Sequence, residues 1–241
     1  MKRTIGDVEI YCGDSFELMN EMKYDLVCTD PPYNFESKGG GFYGDWHGNG
    51  HAARTYCDNL SKLDCVDFEP KQLLDAFSMS LFQGYFFCNK KLVLPYLQFA
   101  EEKGYMYDIL TMNKTNPIPA CNSHHLHDLE YIIMIREKGT SFYKQPKFKD
   151  NSKYFITQVK QDNIHPAQKP VELMKRLICT LSKENDIIFD PFCGSGTTAI
   201  AAIQTKRKCI TIEKDTQMFE IACKRIEKEF DKYKINDFFE E

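Results

Sequence analysis

Two short clusters in this chain combine residue types that could do chemistry. The first is Asp30-Pro31-Pro32-Tyr33, which follows the apolar run Tyr24–Thr29 and so lies at the carboxyl end of an expected strand. In open α/β sheets that edge is where ligands bind. Asp30 brings a carboxylate oxygen and Pro31 a main-chain carbonyl, and prolines fix φ without adding a competing N–H donor. Two acceptors held this way could take both N–H bonds of an exocyclic amino group, localising a lone pair otherwise delocalised into its ring. Tyr33 adds a flat face for a base turned out of its stack. The plainer reading is that two prolines simply end a strand.

The second cluster is DIIFDPFCGSGTTAIAAIQTKRKCITIEKD, residues 186–215. An apolar strand reaches Asp190, a glycine turn follows, a helix opens near Thr197, and a second strand ends at Glu213. Such glycines let the backbone approach a ligand at a helix N-terminus. Glu213, 19 residues past Gly194, stands where an acidic side chain accepts bonds from ribose hydroxyls. GSGTT lacks the lysine of a triphosphate-binding loop, and Ala199 stands at the third glycine of the dinucleotide fingerprint.

Short β-like runs alternate with helical stripes, which predicts βαβ units and a mostly parallel sheet with helices on both faces. Strands are expected at Val8–Cys12, Asp25–Thr29, Gly84–Asn89, Asp108–Met112, Tyr131–Arg136, Asp186–Phe189 and Lys208–Ile212. Helices are expected at Ser15–Glu21, Pro70–Leu81, Leu92–Lys103, Pro170–Leu181, Thr197–Thr205 and Thr216–Asp231, the last carrying the stripe Met218, Phe219, Ala222, Ile226 and Phe230. Two stretches break the alternation and are predicted as loops. One is glycine-rich, with six glycines in 36–51 around Phe42, Tyr43 and Trp46, inside an insertion spanning about 36–64. Glycine-rich chain loses much entropy on ordering, so a mobile surface loop is expected there. The other, 139–164, is polar and aromatic without a clear period.

Phe192-Cys193-Gly194-Ser195-Gly196 fits FxGxG, and resembles the S-adenosylmethionine site of Rossmann-like methyltransferases. Paired with DPPY, it resembles the DNA amino-methyltransferases that produce N6-methyladenine or N4-methylcytosine. DPPY precedes FCGSG here, the permuted motif order of that family's β group. Gly13-Asp14-Ser15 resembles the motif whose aspartate faces the cofactor's adenine. HPAQKP at 165–170 resembles HPTQKP, which opens the helix beside the methionine end of the cofactor; it implies His165 at the cofactor and Lys169 on its carboxylate. Ala167 departs from the usual threonine. NKTNPIP at 113–119 and EYIIMIRE at 130–137 resemble family strands near the target pocket.

The resemblance covers nearly the whole chain and implies one Rossmann-like α/β methyltransferase domain over 1–241. It places Asp14, Asp30, His165, Lys169, Asp190, Phe192, Cys193, Gly194, Gly196, Thr197 and Glu213 around S-adenosylmethionine, and makes Asp30, Pro31, Pro32 and Tyr33 the catalytic tetrad. It implies site-specific methylation of N6 of adenine in DNA, because Asp rather than Ser ahead of PPY leans that way in the family; N4 of cytosine is the alternative. A restriction-modification setting and a homodimer are implied in the same way. Two further readings are a DNA-binding relative that has lost catalysis, and a protein-glutamine methyltransferase. In the latter family a similar tetrad begins with Asn and follows the glycine motif, the reverse of the order here.

The net charge of −4 argues against a polyanionic partner on average, but the charge is uneven. Between Gly139 and Ile164, Lys144, Lys147, Lys149, Lys153 and Lys160 oppose Asp150 and Asp162. Lysine runs are often solvated faces; in this short candidate target-recognition segment, Lys144, Lys147, Lys149 and Lys153 are expected to contact phosphates, interleaved with Tyr143, Phe148, Tyr154 and Phe155. Fewer than thirty residues lie between EYIIMIRE and HPAQKP, so target recognition is expected to be simple or shared. Ten cysteines without paired CxxC spacing, no apolar leader and no membrane-length apolar run predict a reduced cytoplasmic protein. Cys121, His124, His125 and His127 match no usual zinc spacing, and neither do His47, His51, Cys57 and Cys65, so no metal is expected. Cys193 could suggest covalent C5-cytosine chemistry, but the chain has no Pro-Cys dipeptide, and that mechanism is rejected.

Overall fold

In the computed structural model, which describes residues 1–32, 69–117, 125–158 and 168–240 (235–240 as backbone alone), the apolar runs pair into one nine-stranded sheet. Its strands are β1 (Lys2–Ile5), β2 (Val8–Cys12), β3 (Leu26–Thr29), β4 (Gln83–Cys88), β5 (Met106–Lys114), β6 (Leu129–Arg136), β7 (Tyr154–Thr157), β8 (Ile187–Asp190) and β9 (Lys208–Glu213). They lie in the order β1-β2-β9-β8-β3-β4-β6-β5-β7. The run β2, β9, β8, β3, β4 is parallel throughout. β6 sits antiparallel between β4 and β5, and β7 runs parallel to β5 at the outer edge. The expected mostly parallel α/β sheet is what forms.

Among the described residues six helices cover it: α1 (Ser15–Leu18), α2 (Pro70–Ala76), α3 (Val93–Lys103), α4 (Val171–Leu181), α5 (Thr197–Gln204) and α6 (Thr216–Glu240). Side chains alternate across the pleat, so each strand feeds two cores. Tyr85 and Phe87 pack with Leu173 and Leu177 of α4, Ile200 of α5, and Phe219 and Ile226 of α6. Phe86 and Cys88 face the other way, onto Leu73 of α2 and onto Tyr96 and Phe99 of α3. The second core is dense in rings: Tyr24 stacks on Phe189 at 4.3 Å, and Phe86 on Tyr96 at 5.3 Å.

Several expectations shift for local reasons. The helix expected at Ser15–Glu21 divides into α1 and a 3-10 turn at Met19–Glu21. α2 stops at Ala76 rather than Leu81, because Phe77 turns extended and the Ser78 N–H is drawn onto the Tyr24 hydroxyl at 3.2 Å. α6 runs on past Asp231 to Glu240. The supposed loop 139–164 contains β7, an edge strand hydrogen-bonded to β5 and held by Arg176, whose guanidinium donates to the Tyr154 carbonyl at 3.2 Å. The 36–64 insertion lies outside the described residues, as do Tyr33, Cys121, His124 and His165. No helix among the described residues is long and apolar enough to cross a membrane.

Candidate active site

The carboxyl ends of β2, β9, β8, β3 and β4 share one edge of the sheet, and the antiparallel register of β6 brings its start, Glu130, to the same edge. From β8 the chain passes through α5 to β9 on one side; from β3 it goes on to α2 and β4 on the other. α5 and α2 lie on opposite faces, so the connections diverge between β8 and β3, the switch point at which such sheets bind ligands. The glycine turn and Asp30-Pro31-Pro32 stand side by side there.

Asp190 builds the turn. Its carboxylate is buried and accepts from Thr29 Oγ1 at 2.7 Å, Thr198 Oγ1 at 2.5 Å and the Phe192 N–H at 3.1 Å, joining β3, β8 and α5. Burial pushes this carboxyl up, and the three donors pull it back. Asp190 therefore shapes the ligand loop from beneath it. Sequence reasoning misses Thr29 and Thr198, which share that task; a threonine close to each acidic residue is the signal that could have found them.

Gly194 and Gly196 take positive φ, 51° and 81°, where side chains are strained. A Cβ on Gly196 would stand 3.2 Å from Ile226, so that residue packs against α6. A Cβ on Gly194 would meet nothing within 4 Å, which leaves open space over the turn for a ligand. Glu213, at the end of β9, accepts from the Gly194 N–H at 2.8 Å and the Asp215 N–H at 2.9 Å, and burial raises its carboxyl. Asp14, on the neighbouring strand end, caps α1 through the Phe16 N–H at 2.9 Å and pairs with Lys214 at 3.0 Å; that pairing holds its carboxyl below the usual range. Phe192 and Thr197 flank the same turn. The Cys193 thiol is buried, and desolvation pushes it far up, which keeps it protonated and unsuited to nucleophilic attack.

Asp30 is the most unusual group. Its Oδ1 is buried and has no hydrogen-bond partner among the described residues, while Oδ2 binds the Lys169 ammonium. Native structures rarely leave a buried carboxylate oxygen bare. Burial pushes the Asp30 carboxyl up to about 6, with Lys169 pulling it down and Glu130 pushing it up. Lys169 itself is 6% exposed and also stands 3.1 Å from Glu130 Oε2, with Lys114 on Glu130 Oε1 at 2.5 Å. Burial disfavours the charge on Glu130, but the two ammonium groups outweigh it and hold its carboxyl at about 2. The resemblance puts Lys169 on a cofactor carboxylate; in the structure its ammonium lies on Asp30 and Glu130. Sequence reasoning also misses Glu130 and Lys114 as site residues, although charges beside an apolar strand are visible in EYIIMIRE and NKTNPIP.

Lys144, Lys147, Lys149 and Lys153 are not brought to this edge. Tyr143 and Gln145 are bonded to the carbonyls of Thr180 and Cys179, at the end of α4 remote from Lys169. Eleven helical residues put that end about 15 Å away. Lys144, Lys147 and Lys149 are exposed there, while Lys153 is paired with Asp108.

Known proteins resemble this chain over nearly all its length. The type II methyltransferase M2.LlaDCHI of Lactococcus lactis subsp. cremoris is 28% identical over 247 residues, spanning 90% of this chain and 88% of the relative. The structure of an M1.HpyAVI–SAM complex, 24% identical, superposes with a TM-score of 0.66 over 91% of this chain and 99% of that one. PvuII DNA methyltransferase, described as cytosine-N4-specific, is 16% identical with a TM-score of 0.60, over 95% of this chain and 93% of that one. These two likenesses establish the fold. A family model described as DNA methylase, that of the N6/N4 methyltransferases, matches residues 24–224, and with its two motifs in the β-group order, the chain belongs to that family of DNA methylases.

Proposed function

We propose that this chain transfers a methyl group from S-adenosylmethionine to the exocyclic N6 of adenine in DNA. The observation that carries the reading is the bare, buried Oδ1 of Asp30, adjoining the Pro31 carbonyl at the switch point of the sheet. S-adenosylmethionine, when bound, supplies a methyl group already activated on a sulfonium. The remaining tasks fall to the chain's own residues. Asp30 Oδ1 and the Pro31 carbonyl accept the two N–H bonds of the amino group and localise its lone pair for direct attack on the methyl carbon. An ionised Asp30 also favours the positive charge that the nitrogen gains as its bond to the methyl forms and the methyl–sulfur bond breaks; the nitrogen then sheds one proton to give the neutral methylamino group. The open space over Gly194 suits close approach of a ligand to the backbone. Each Glu213 oxygen accepts one backbone bond, which leaves lone pairs for ribose hydroxyls. Tyr33 and His165 keep the base-stacking and cofactor roles that the resemblance implies.

Adenine is favoured by the Asp that opens the tetrad. N4 of cytosine is the second reading, favoured by the likeness of fold to PvuII DNA methyltransferase. Nucleoside mass spectrometry of mixed-sequence duplex DNA, after incubation with protein and S-adenosylmethionine, separates them. We expect 6-methyladenine, absent with Asp30→Ala. A 4-methylcytosine peak keeps the mechanism and overturns the base; a protein that binds S-adenosylmethionine and methylates no base overturns the reading.

A further inference from the structure

Asp30 and the charges behind it, with Lys169 buried and the others partly so, alternate in sign and come from four separate elements. Asp30 follows β3, Lys169 precedes α4, Glu130 opens β6 and Lys114 closes β5. Lys169 lies between the two carboxylates, touching Asp30 through Oδ2 and standing 3.1 Å from Glu130, while its ammonium rests 5.2 Å from the centre of the Phe87 ring. Apolar side chains would pack this space at least as well as desolvated charges, so packing alone does not account for the array. We propose that Glu130 is a positioning residue for methyl transfer. It holds the Lys169 ammonium from the side away from the reacting group, so that Lys169 steadies Asp30 through Oδ2 and leaves Oδ1 bare as a strong acceptor. The inference rests on the methyl-transfer reading.

Among the described residues, the groups acting on Asp30 are Lys169 ahead of α4, Glu130 on β6, Asp190 at the end of β8, Cys88 at the end of β4 and Tyr96 on α3. Lys169 favours the ionised form of Asp30; Glu130 and Asp190 oppose it. Lys114 acts through Glu130, whose charge it neutralises from the far side. Two substitutions therefore push Asp30 in opposite directions. Glu130→Gln keeps the shape, removes the repulsion and leaves Lys169 without its Glu130 counter-charge, so Asp30 titrates lower and becomes a weaker acceptor. Lys114→Met leaves the Glu130 charge less neutralised, so Asp30 titrates higher.

The test is the pH profile of kcat for wild type, Glu130→Gln and Lys114→Met, together with KM for S-adenosylmethionine. We expect the acid limb to move down by about half a unit or more in Glu130→Gln and up in Lys114→Met, with kcat at neutral pH about tenfold lower in Glu130→Gln. KM should stay within about twofold, because neither residue touches the glycine turn. Loss of packing alone would not shift the two limbs in opposite directions. Limbs that stay fixed, or move the same way, overturn the proposal. A substrate-free titration of Asp30 by carbon-13 NMR, assigned with Asp30→Asn, reads the same shifts without turnover; if one variant fails to fold, the predicted direction in the other still decides. A wild type that methylates no base sinks the functional reading, while the NMR shifts judge the arrangement of charges separately.

Discussion

Replacing Asp30 by Ala should abolish most activity while changing stability in a way that depends on pH. Burial pushes the Asp30 carboxyl from 3.8 up to about 6, despite Lys169. Between those values the folded protein holds a proton that the unfolded chain has released. The associated stability is therefore fully present below pH 3.8 and is lost as pH rises through about 6. A shift of about two units, at about 1.4 kcal/mol per unit, makes the loss about 3 kcal/mol by about pH 7.5. Glu130 acts with the opposite sign, its carboxyl held at about 2 against an ordinary 4.5; its stabilisation is present above 4.5 and fades as pH falls toward 2, a window that barely touches that of Asp30. Lys169 stays charged throughout, so the packing removed with the Asp30 side chain adds an offset that does not vary with pH. Urea unfolding of both proteins, followed by circular dichroism from about pH 4 to about 7.5, should show their difference moving by about 3 kcal/mol in favour of the variant. In parallel kcat should fall by about a hundredfold to a thousandfold. A difference in stability that is flat with pH, or runs the other way, would refute the assignment of Asp30 as a desolvated carboxylate.

Asp190→Ala should destabilise the protein by about 3 kcal/mol in urea unfolding, since Thr29, Thr198 and the Phe192 N–H lose their shared acceptor; a loss under about 1 kcal/mol would mean the turn does not depend on it. Gly196→Ala should cost about 1–3 kcal/mol of stability, from its φ of 81° and the 3.2 Å approach to Ile226. It should also weaken S-adenosylmethionine binding in calorimetry, and unchanged affinity would contradict the role given to the turn. Lys147→Ala combined with Lys149→Ala should leave the salt dependence of DNA binding almost unchanged, because both lie at the remote end of α4; a slope reduced by about two would restore them as phosphate contacts.

Sequence alone determined the elements that carry their own local signal. The apolar runs at Val8–Cys12 and Lys208–Ile212 are strands because short, nearly continuous apolar segments suit a sheet covered on both faces. β8, the glycine turn and α5 were legible as a unit, because positive φ at Gly194 and Gly196 is a demand that only a few residue types meet. The adjacency of Asp30 and Pro31 is likewise written in the chain. Less local features were harder to read. β1 is four residues, three of them not buried, and becomes a strand because β2 offers it an edge. β7 becomes one because β5 and Arg176 hold it. The identity of the partners of Asp30 was decided by tertiary structure alone. Lys169 is 139 residues away in the chain, and Glu130 belongs to a strand whose antiparallel register sets which end it presents. Desolvation gives these charges their strength, and desolvation is a property of the closed sheet and its helices, so no window of sequence could reveal that one oxygen of Asp30 is left bare.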